Sequence, residues 1–385
     1  MRNLKEKSIF SMAMNESLKK PNFVCSIEQK DMLNEYQGKT AYCWIYSSVA
    51  LLKQYIKDTY GIENYEFSYA YLMLYDKYER MKCAIDLIYQ GAYANDYFNR
   101  ELDFLCGDKG DFSIFVDLIN KYGVAPRKYG EDTYCVRSTN DLNYVLNNYL
   151  ISLIRDRETI REISKETAIK EIYALLKDCY GDPIENFDVD IIKKETITPK
   201  GFYEKYLDKC LEQYITIANY LEDESYVNKH CCYKGRGNFV SREKSTFINV
   251  SNKDFKQLVI QQLQSSATYI SMKISDGNMK EGFFDDKLYD LGATLNLPLE
   301  LDHKYIMQYK DGLSEHALLL VGVDEQEEKI VKWKVKDNNI NLGKGGYYVL
   351  SDSWFEKYVC SVVVNKKLLS DEILCCLEEQ PLNLF

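Results

Sequence analysis

Two segments of the sequence contain side chains suited to nucleophilic catalysis by a thiol. The first is QGKTAYCW at residues 37–44, in which Cys43 follows Gln37 by six residues. The spacing of apolar residues predicts a helix from Cys43 to Asp58, with Thr40 as its N-cap. In the first turn, the helix dipole favours the thiolate, and the Gln37 amide could donate to an oxyanion together with the Cys43 backbone N–H. Taken alone, these residues also fit a buried helix start after a surface loop.

The second segment supplies a proton acceptor. Only three histidines are available: His230, His303 and His316. His316 opens the apolar run 317–323, and the charged stretch 324–329 separates it from a second apolar run at 330–336. Two such runs around a short polar stretch predict a β-hairpin.

The register of this hairpin suggests a partner for His316. If a four-residue loop leaves Asp324 opposite Lys329, His316 lies directly opposite Asp337, and directly opposed Cβ atoms are about 4.5–5.5 Å apart. Strand alternation then puts one apolar row on the face of Asp337: Val331, Trp333 and Val335. The lysines between them face the other way. The alternative is a histidine at a strand end whose hydrogen bonds serve only the fold.

The elements around these segments change in type along the chain. Helical patterns cover residues 67–89, 112–122 and 164–180, and cap signals at Thr198-Pro199 and Ser251 open two more helices. A strand pattern at Ile270, Met272 and Ile274 follows, then strands at 317–323, 330–336 and 346–350. Helices first and antiparallel strands last predict an α+β fold.

Composition restricts the function classes. The chain has 385 residues and a net charge of −10, which argues against general nucleic-acid binding. The basic stretch 229–236 is interpreted as a solvated loop. Residues 1–20 lack the apolar core of a secretion signal, and the apolar run 317–323 is too short to cross a bilayer. A cytoplasmic location without membrane association follows by default.

The twelve cysteines are scattered and form no CxxC pair. We therefore expect no metal site and no cofactor. In a reducing compartment, cysteines within apolar patterns, such as Cys179, Cys360 and Cys375, are small buried hydrophobes.

Taken together, the motifs resemble the bleomycin hydrolase / aminopeptidase C family of papain-like cysteine peptidases. That family has a glutamine six residues before a Cys-Trp pair, matched by Gln37 and Cys43-Trp44. Its histidine precedes an apolar strand ending in Gly/Ala-Val-Asp, matched by HALLLVGVD at 316–324, and a Trp-Lys-Val strand follows at 333–335. Further segments in family order lie at 67–72, 121–126, 198–206 and 352–355.

The resemblance implies a papain-like core with a helical insertion. Residues 1–135 would form the N-terminal segment and the helical half, 136–240 the insertion, and 241–385 the antiparallel β half with a C-terminal arm. It also implies an aminopeptidase acting on peptides, assembled as a hexamer. Cys43 would attack the carbonyl, His316 would transfer the proton, and Gln37 would line the oxyanion hole.

Several positions depart from the family pattern. Ala41 and Tyr42 stand where the family commonly has glycine and arginine, and Asp337 stands where it has the asparagine that orients the histidine. A tryptophan that usually shields this pair is absent. The chain stops at Phe385, short of the usual arm whose carboxylate receives the substrate amine.

These departures leave alternatives open. The protein could be an endopeptidase with an opened cleft, or a catalytically impaired member that serves as an oligomeric scaffold or binder. An acyltransferase with the same Cys-His-Asp chemistry is a third possibility, although no separate acceptor site is evident.

Overall fold

The computed structural model describes residues 6–18, 20–29, 35–94, 96–130, 132–158, 163–189, 191–192, 194–274, 276–309 and 314–384. The chain forms two compact units. The helical unit comprises Gln37–Gln213 and Gly235–Ser245, and the sheet unit comprises Met1–Tyr36, Tyr214–Lys234 and Thr246–Phe385. None of the described helices is long and apolar enough to cross a membrane.

The helices, in chain order, are α1 (Ile9–Ala13), α2 (Cys43–Tyr60), α3 (Tyr69–Tyr89), α4 (Asp96–Cys106), α5 (Phe112–Tyr122), α6 (Tyr134–Arg137), α7 (Asn140–Glu158), α8 (Lys165–Tyr180), α9 (Pro199–Tyr206), α10 (Asn252–Ser265), α11 (Asp276–Glu281), α12 (Leu291–Leu295), α13 (His303–Tyr309), α14 (Asp352–Tyr358) and α15 (Asp371–Cys375). Side-chain caps fix where several of them begin. The hydroxyls of Ser164, Thr198 and Ser251 each accept a backbone N–H three residues later, satisfying a donor that the first turn leaves unpaired.

The strands, in chain order, are β1 (Ile27–Glu28), β2 (Phe187–Asp188), β3 (Thr196–Ile197), β4 (Tyr214–Ala218), β5 (Lys229–Gly237), β6 (Lys244–Asn249), β7 (Thr268–Ile274), β8 (Phe283–Phe284), β9 (Ser314–Gln326), β10 (Lys329–Lys336), β11 (Tyr347–Ser351), β12 (Val359–Asn365) and β13 (Leu382–Leu384). One sheet has the order β13-β5-β6-β4-β12-β7-β9-β10-β11-β8, with β1 paired to β9. The pairs from β4 through β12, β7, β9 and β10 to β11 are antiparallel, whereas β4–β6, β13–β5 and β11–β8 are parallel.

The central strands of the sheet unit are buried on both faces. In β7, Ser271 and Lys273 are nearly as inaccessible as their apolar neighbours, and in β10 Trp333 is fully buried. The ring of Trp333 stacks on Phe355 of α14 at a centroid distance of 4.0 Å. This burial makes the sheet a rigid support for residues at the ends of β9 and β10.

Three predicted features of the fold need correction. Cys375, expected to be a small buried hydrophobe, is exposed, and Cys179 is only half-buried, whereas Cys360 is buried as expected.

The stretch 229–236 was expected to be a solvated loop, but it belongs to strand β5, in which Cys231 and Cys232 are buried. Strands β4 and β5 also lie within a region predicted to be helical. β4 pairs with a strand that is distant in sequence, as in the pairing of Ile217 with Val362, so local patterns gave no signal for it. β5 neighbours β6, the next strand along the chain, and the charged and polar residues of both hid this hairpin. The division at residues 135 and 240 stays a prediction.

Candidate active site

Cys43 is the first residue of α2 in the helical unit, and its side chain is half-buried. The expected first-turn position of the thiol is therefore correct, but the expected cap is wrong. Tyr42 is the N-cap residue and makes no side-chain cap. The Thr40 hydroxyl instead donates to the carbonyl oxygen of Gln37 at 2.9 Å. It thus closes the loop before the helix rather than capping it.

Gln37 lies at the start of this loop and is only 8% exposed. Its Nε2 donates to the carbonyl oxygen of Thr40 at 3.1 Å, so the side chain folds back over the loop as expected. An amide held inside the loop keeps its donor group in a fixed place, which is a requirement for oxyanion stabilisation.

The loop is also fixed by glycine and by α6. Gly38 has φ of +67°, a conformation that favours glycine, and a Cβ there would lie 2.2 Å from the carbonyl oxygen of Arg137. The next backbone N–H, that of Lys39, donates to the same oxygen at 2.6 Å. The last residue of α6 therefore positions the loop between Gln37 and Cys43.

Asp108 anchors the chain on both sides of the nucleophile Cys43. Its Oδ2 accepts the backbone N–H of Ala41 at 3.2 Å, and its carbonyl oxygen accepts the indole N–H of Trp44 at 2.7 Å. Burial would raise the pKa of Asp108, but the charge of Lys77, 2.7 Å away, and hydrogen bonds from Lys77, Thr139 and Asn143 bring it down to about 2. The carboxylate therefore stays ionised and anchors both flanks of Cys43.

A second buried ion pair accounts for the tyrosine at position 42, where the family resembled commonly has arginine. The Tyr42 hydroxyl donates to Asp76 Oδ2 at 2.7 Å, and the same oxygen accepts Arg80 Nε at 2.8 Å. Asp76, Arg80 and Tyr42 are fully buried. An arginine at position 42 would bring a second cation to this ion pair, whereas a phenol supplies a neutral donor.

In the sheet unit, the structure brings His316 and Asp337 together. His316 lies on β9, where it pairs with Met272 of β7, and its side chain is 13% exposed. Its Nε2 is 3.1 Å from Oδ1 of Asp337, whose side chain is fully buried. A carboxylate at this distance fixes the orientation of the ring and stabilises its protonated form.

Asp337 is itself held from three directions. Its backbone N–H donates to the carbonyl oxygen of Gly346 at 2.7 Å, and Oδ1 accepts the N–H of Asn339 at 3.0 Å. Oδ2 accepts the hydroxyl of Tyr348 at 3.2 Å. Burial and the nearby carboxylate raise the pKa of Tyr348, so this phenol remains a donor.

The predicted hairpin register is wrong. The turn has two residues, Glu327 and Glu328, both with positive φ, and Lys329 pairs with Gln326 rather than with Asp324. Register shifts follow, one of them between Ile330 and Lys332. The histidine and the aspartate are nonetheless close, because Asp337 lies just beyond the end of β10.

The face assignment on β10 also fails in part. Val331 lies beside the first register shift and is 43% exposed, so it does not belong to the buried row of Trp333 and Val335. Lys332 and Lys334, expected only to face the other way, are buried and form ion pairs with Asp324 and Glu28.

Sequence reasoning missed three residues that support the site: Asp76, Asp108 and Tyr348. The charged residues Asp76, Lys77 and Arg80, which follow the apolar first turns of α3, were the available signal for a buried ionic network. Tyr348 could have been found by extending the predicted hairpin to a third strand, since it pairs with Val335.

The remaining histidines each lie close to a backbone carbonyl. His303 Nδ1 lies 3.0 Å from the carbonyl oxygen of Lys357, the ring stacks on Tyr220, and burial lowers its pKa. His230 Nδ1 lies 3.3 Å from the carbonyl oxygen of Glu379. Of the four candidate side chains, Gln37 and Cys43 lie in the helical unit, and His316 and Asp337 lie in the sheet unit.

Comparison with known proteins assigns the chain to a family. The model of the Peptidase C1-like family matches residues 2–385. Aminopeptidase C of Listeria monocytogenes is 27% identical, over 90% of this chain and 83% of that protein. Aminopeptidase C of Lactococcus lactis subsp. cremoris is 28% identical, over 94% and 86%, and bleomycin hydrolase of Homo sapiens is 27% identical, over 90% and 83%.

The fold is also found in a solved structure. The crystal structure of PepW from Lactobacillus rhamnosis matches 100% of this chain and 89% of its own, with a TM-score of 0.82 and 24% identity. The predicted α+β, papain-like fold and the resemblance drawn from the motifs are both confirmed. The chain belongs to the Peptidase C1-like family and is a cysteine peptidase.

Proposed function

We propose that this protein is a cysteine aminopeptidase that removes residues from the free N-terminus of peptides. In this proposal Cys43 is the nucleophile, His316 the general base and acid, Asp337 the residue that orients His316, and Gln37 an oxyanion donor. The names of the relatives, aminopeptidase C and bleomycin hydrolase, support the reaction class. The roles proposed for these four side chains rest on the sequence motifs and on the local geometry.

The observation that carries the assignment of the base is the contact between His316 and Asp337. A buried carboxylate 3.1 Å from Nε2 fixes the ring and stabilises the imidazolium. With Nε2 turned to the carboxylate, Nδ1 is the atom that would exchange the proton with the thiol. His303 and His230 each direct a ring nitrogen to a backbone carbonyl, which suits a structural role better.

The chemical steps follow from these roles. The Cys43 thiolate bonds to the scissile carbonyl carbon, and the oxyanion accepts hydrogen bonds from Gln37 Nε2 and the Cys43 backbone N–H. The C–N bond breaks as the His316 imidazolium gives its proton to the leaving amine. Water, deprotonated by His316, then attacks the thioester, which releases the carboxylic acid and regenerates the thiol.

One observation favours an endopeptidase as a second candidate. In the family resembled, a C-terminal arm places a carboxylate in the cleft to receive the substrate amine. Here β13 pairs in parallel with β5, and β5, β6, β4, β12 and β7 lie between it and β9 in the sheet order. Held in the sheet in this way, residues 382–384 are not available as an arm that receives the substrate amine, and this favours the endopeptidase.

A matched set of substrates separates these functions. Aminoacyl-coumarins with free and acylated amines are offered to the wild type and to Cys43→Ala under reducing conditions. Cys43-dependent turnover of the free amines alone supports the aminopeptidase, and equal turnover of blocked substrates would replace it with the endopeptidase. If a folded wild type turns over neither, the protein is a scaffold or binder.

The resemblance also implies an oligomeric state and a cellular location, and both belong to this proposal. We propose a homohexamer, for which sedimentation of the full chain should give about six times the monomer mass of 45.1 kDa. A monomeric mass at working concentrations would contradict it. A cytoplasmic location is proposed with it, and cell fractionation tests that location.

A further inference from the structure

Arg80 of α3 contacts residues that hold the chain on both sides of Cys43. Its side chain is fully buried, and three of its nitrogens donate hydrogen bonds to three separate acceptors in the helical unit. Nε donates to Asp76 Oδ2 at 2.8 Å, Nη1 to the carbonyl oxygen of Phe104 at 2.8 Å, and Nη2 to that of Lys109 at 2.6 Å. A planar guanidinium serves these three directions at once, whereas an ammonium has a single nitrogen to place.

The contact with Asp76 extends to the residue before Cys43. The Asp76 oxygen that accepts Arg80 Nε also accepts the hydroxyl of Tyr42 at 2.7 Å. All three of these side chains are fully buried. Because Arg80 fixes the carboxylate of Asp76, it also fixes the phenol of Tyr42, which precedes the nucleophile directly in the chain.

The contact with Lys109 extends to the residue after the nucleophile. Lys109 is followed by Gly110, and a Cβ at Gly110 would lie 2.5 Å from Cε2 of the Trp44 indole. The backbone of Gly110 is outside the left-handed region, so it is the close approach of the indole that requires glycine here. The indole N–H of Trp44 donates to the carbonyl oxygen of Asp108 at 2.7 Å. Arg80 therefore holds the turn against which Trp44 packs.

The segment between β5 and β6 covers the guanidinium. Phe239 of this segment is buried, and its ring centroid lies 4.2 Å from Arg80 Cζ. The ring of Phe104 lies on the same guanidinium at 5.3 Å. Asn238 fixes the segment by donating to Asp117 Oδ2 of α5 at 2.7 Å. The two rings attract the cation and exclude water from its hydrogen bonds, which strengthens them and restricts the movement of the side chain.

We propose that Arg80 is a positioning residue for the reaction at Cys43. It is buried away from the reacting atoms and acts on the residue before Cys43 through Asp76 and on the residue after it through the turn at Lys109. This role rests on the proposed function, in which Cys43 is the nucleophile. Because a misplacement of about 1 Å can slow an enzyme strongly, loss of these hydrogen bonds should slow acylation in each folded molecule while substrate binding is retained.

Turnover per folded molecule tests this role, with whichever coumarin substrate the wild type hydrolyses. Arg80→Lys keeps the charge and removes the planar set of donors. We expect kcat, divided by the folded fraction from near-ultraviolet circular dichroism, to fall about tenfold while KM stays within about twofold. A merely structural residue would lower the folded fraction and leave the rate per folded molecule at the wild-type value, and that result would overturn the proposal. Arg242→Lys, in a partly exposed ion pair with Asp86, is the matched control and should keep the wild-type rate.

Tyr42→Phe carries the test if Arg80→Lys does not fold. This variant keeps the ring and removes the hydrogen bond to Asp76. Its kcat per folded molecule should also fall with KM retained, and a wild-type kcat would overturn the proposal. Cys43→Ala is assayed beside these variants. Turnover by Cys43→Ala would overturn the proposed function, whereas an inactive Cys43→Ala together with wild-type rates in the other variants would overturn the role of Arg80 alone.

Discussion

At the scale of single residues, Asp337 both orients the His316 ring and adds a negative charge beside it. An asparagine would keep only the first of these two effects. Asp337 Oδ1 lies 3.1 Å from His316 Nε2, a distance at which either side chain could orient the ring. Only the carboxylate adds a negative charge, which favours the imidazolium. The thiolate–imidazolium pair of a cysteine peptidase should therefore persist to higher pH with aspartate than with asparagine.

The substitution Asp337→Asn tests this difference. We expect kcat at the optimum to fall by less than about tenfold, while the alkaline limb of the kcat/KM profile moves to lower pH by about one unit. Glu328→Gln, which removes the same charge from the exposed turn of the hairpin, should leave the profile in place. An unchanged alkaline limb in Asp337→Asn would show that the carboxylate charge does not act on His316.

Tyr348 is the residue-scale support of that carboxylate. The variant Tyr348→Phe removes the donor to Asp337 Oδ2 and leaves a buried oxygen with one partner fewer. We expect a loss of about 1–3 kcal/mol in the free energy of unfolding, measured with urea. We also expect a lower kcat with little change in KM, because Tyr348 is fully buried and acts through Asp337. A change confined to KM would argue against this positioning role.

At the scale of elements, local signals in the sequence were sufficient where an element is defined by its own residues. The bounds of α5 and the N-caps Thr198 and Ser251 followed from hydrophobic spacing and capping chemistry. The hairpin register did not, because Glu327 and Glu328 adopt positive φ without glycine or asparagine, the usual signals of a two-residue turn. When a turn lacks its usual residues, the sequence does not predict the register of the two strands, and the register is known only from the structure.

The same distinction applies to the candidate site. Gln37, Cys43 and His316 could be named from their types and spacing, whereas Asp108 could not, and Tyr348 only by placing a third strand beside the hairpin. Both of these act through tertiary contacts: Asp108 lies far along the chain from Ala41, and Tyr348 reaches Asp337 from the neighbouring strand. Supporting residues have no local sequence motif, because their partners are set by packing.

The loop before α2 gives a prediction at this scale. Gly38→Ala forces both a left-handed backbone and a contact of 2.2 Å with the Arg137 carbonyl, so it should destabilise the protein by more than about 2 kcal/mol and abolish most activity. Gly61, at the end of α2, has φ of +71° but no neighbour within 4 Å. Gly61→Ala should cost only about 1 kcal/mol. Equal effects in the two variants, by urea unfolding and turnover, would contradict the steric account.

At the scale of the whole molecule, the buried ion pair between Lys77 of α3 and Asp108 connects stability with pH. Asp108 has a folded-state pKa of about 2 against an ordinary value of 3.8. A lowered carboxyl pKa contributes stability that is present above the ordinary value and is lost as pH falls toward the folded value. From this shift, the contribution of Asp108 is about 2 kcal/mol at neutral pH.

Comparison of wild type with Asp108→Asn measures the contribution of the Asp108 charge to the free energy of unfolding. The variant should be less stable at pH 6, and the difference should shrink by about 1 kcal/mol between pH 6 and pH 3, as Asp108 of the unfolded wild type takes up its proton. Urea unfolding at several pH values measures both quantities. A difference independent of pH would mean that the charge of Asp108 does not stabilise the fold and that its hydrogen bonds alone anchor Ala41.

The central claim is that Cys43 carries the acyl group, and trapping the acyl-enzyme tests it most directly. An activated aminoacyl ester is mixed with wild type, quenched in acid within the first turnovers, digested and analysed by mass spectrometry. Our account predicts the aminoacyl mass on the peptide that contains Cys43, its disappearance on a longer delay before quenching, and its absence in Cys43→Ser. Acylation of a different cysteine, or turnover with no acylated cysteine in folded protein, would contradict it.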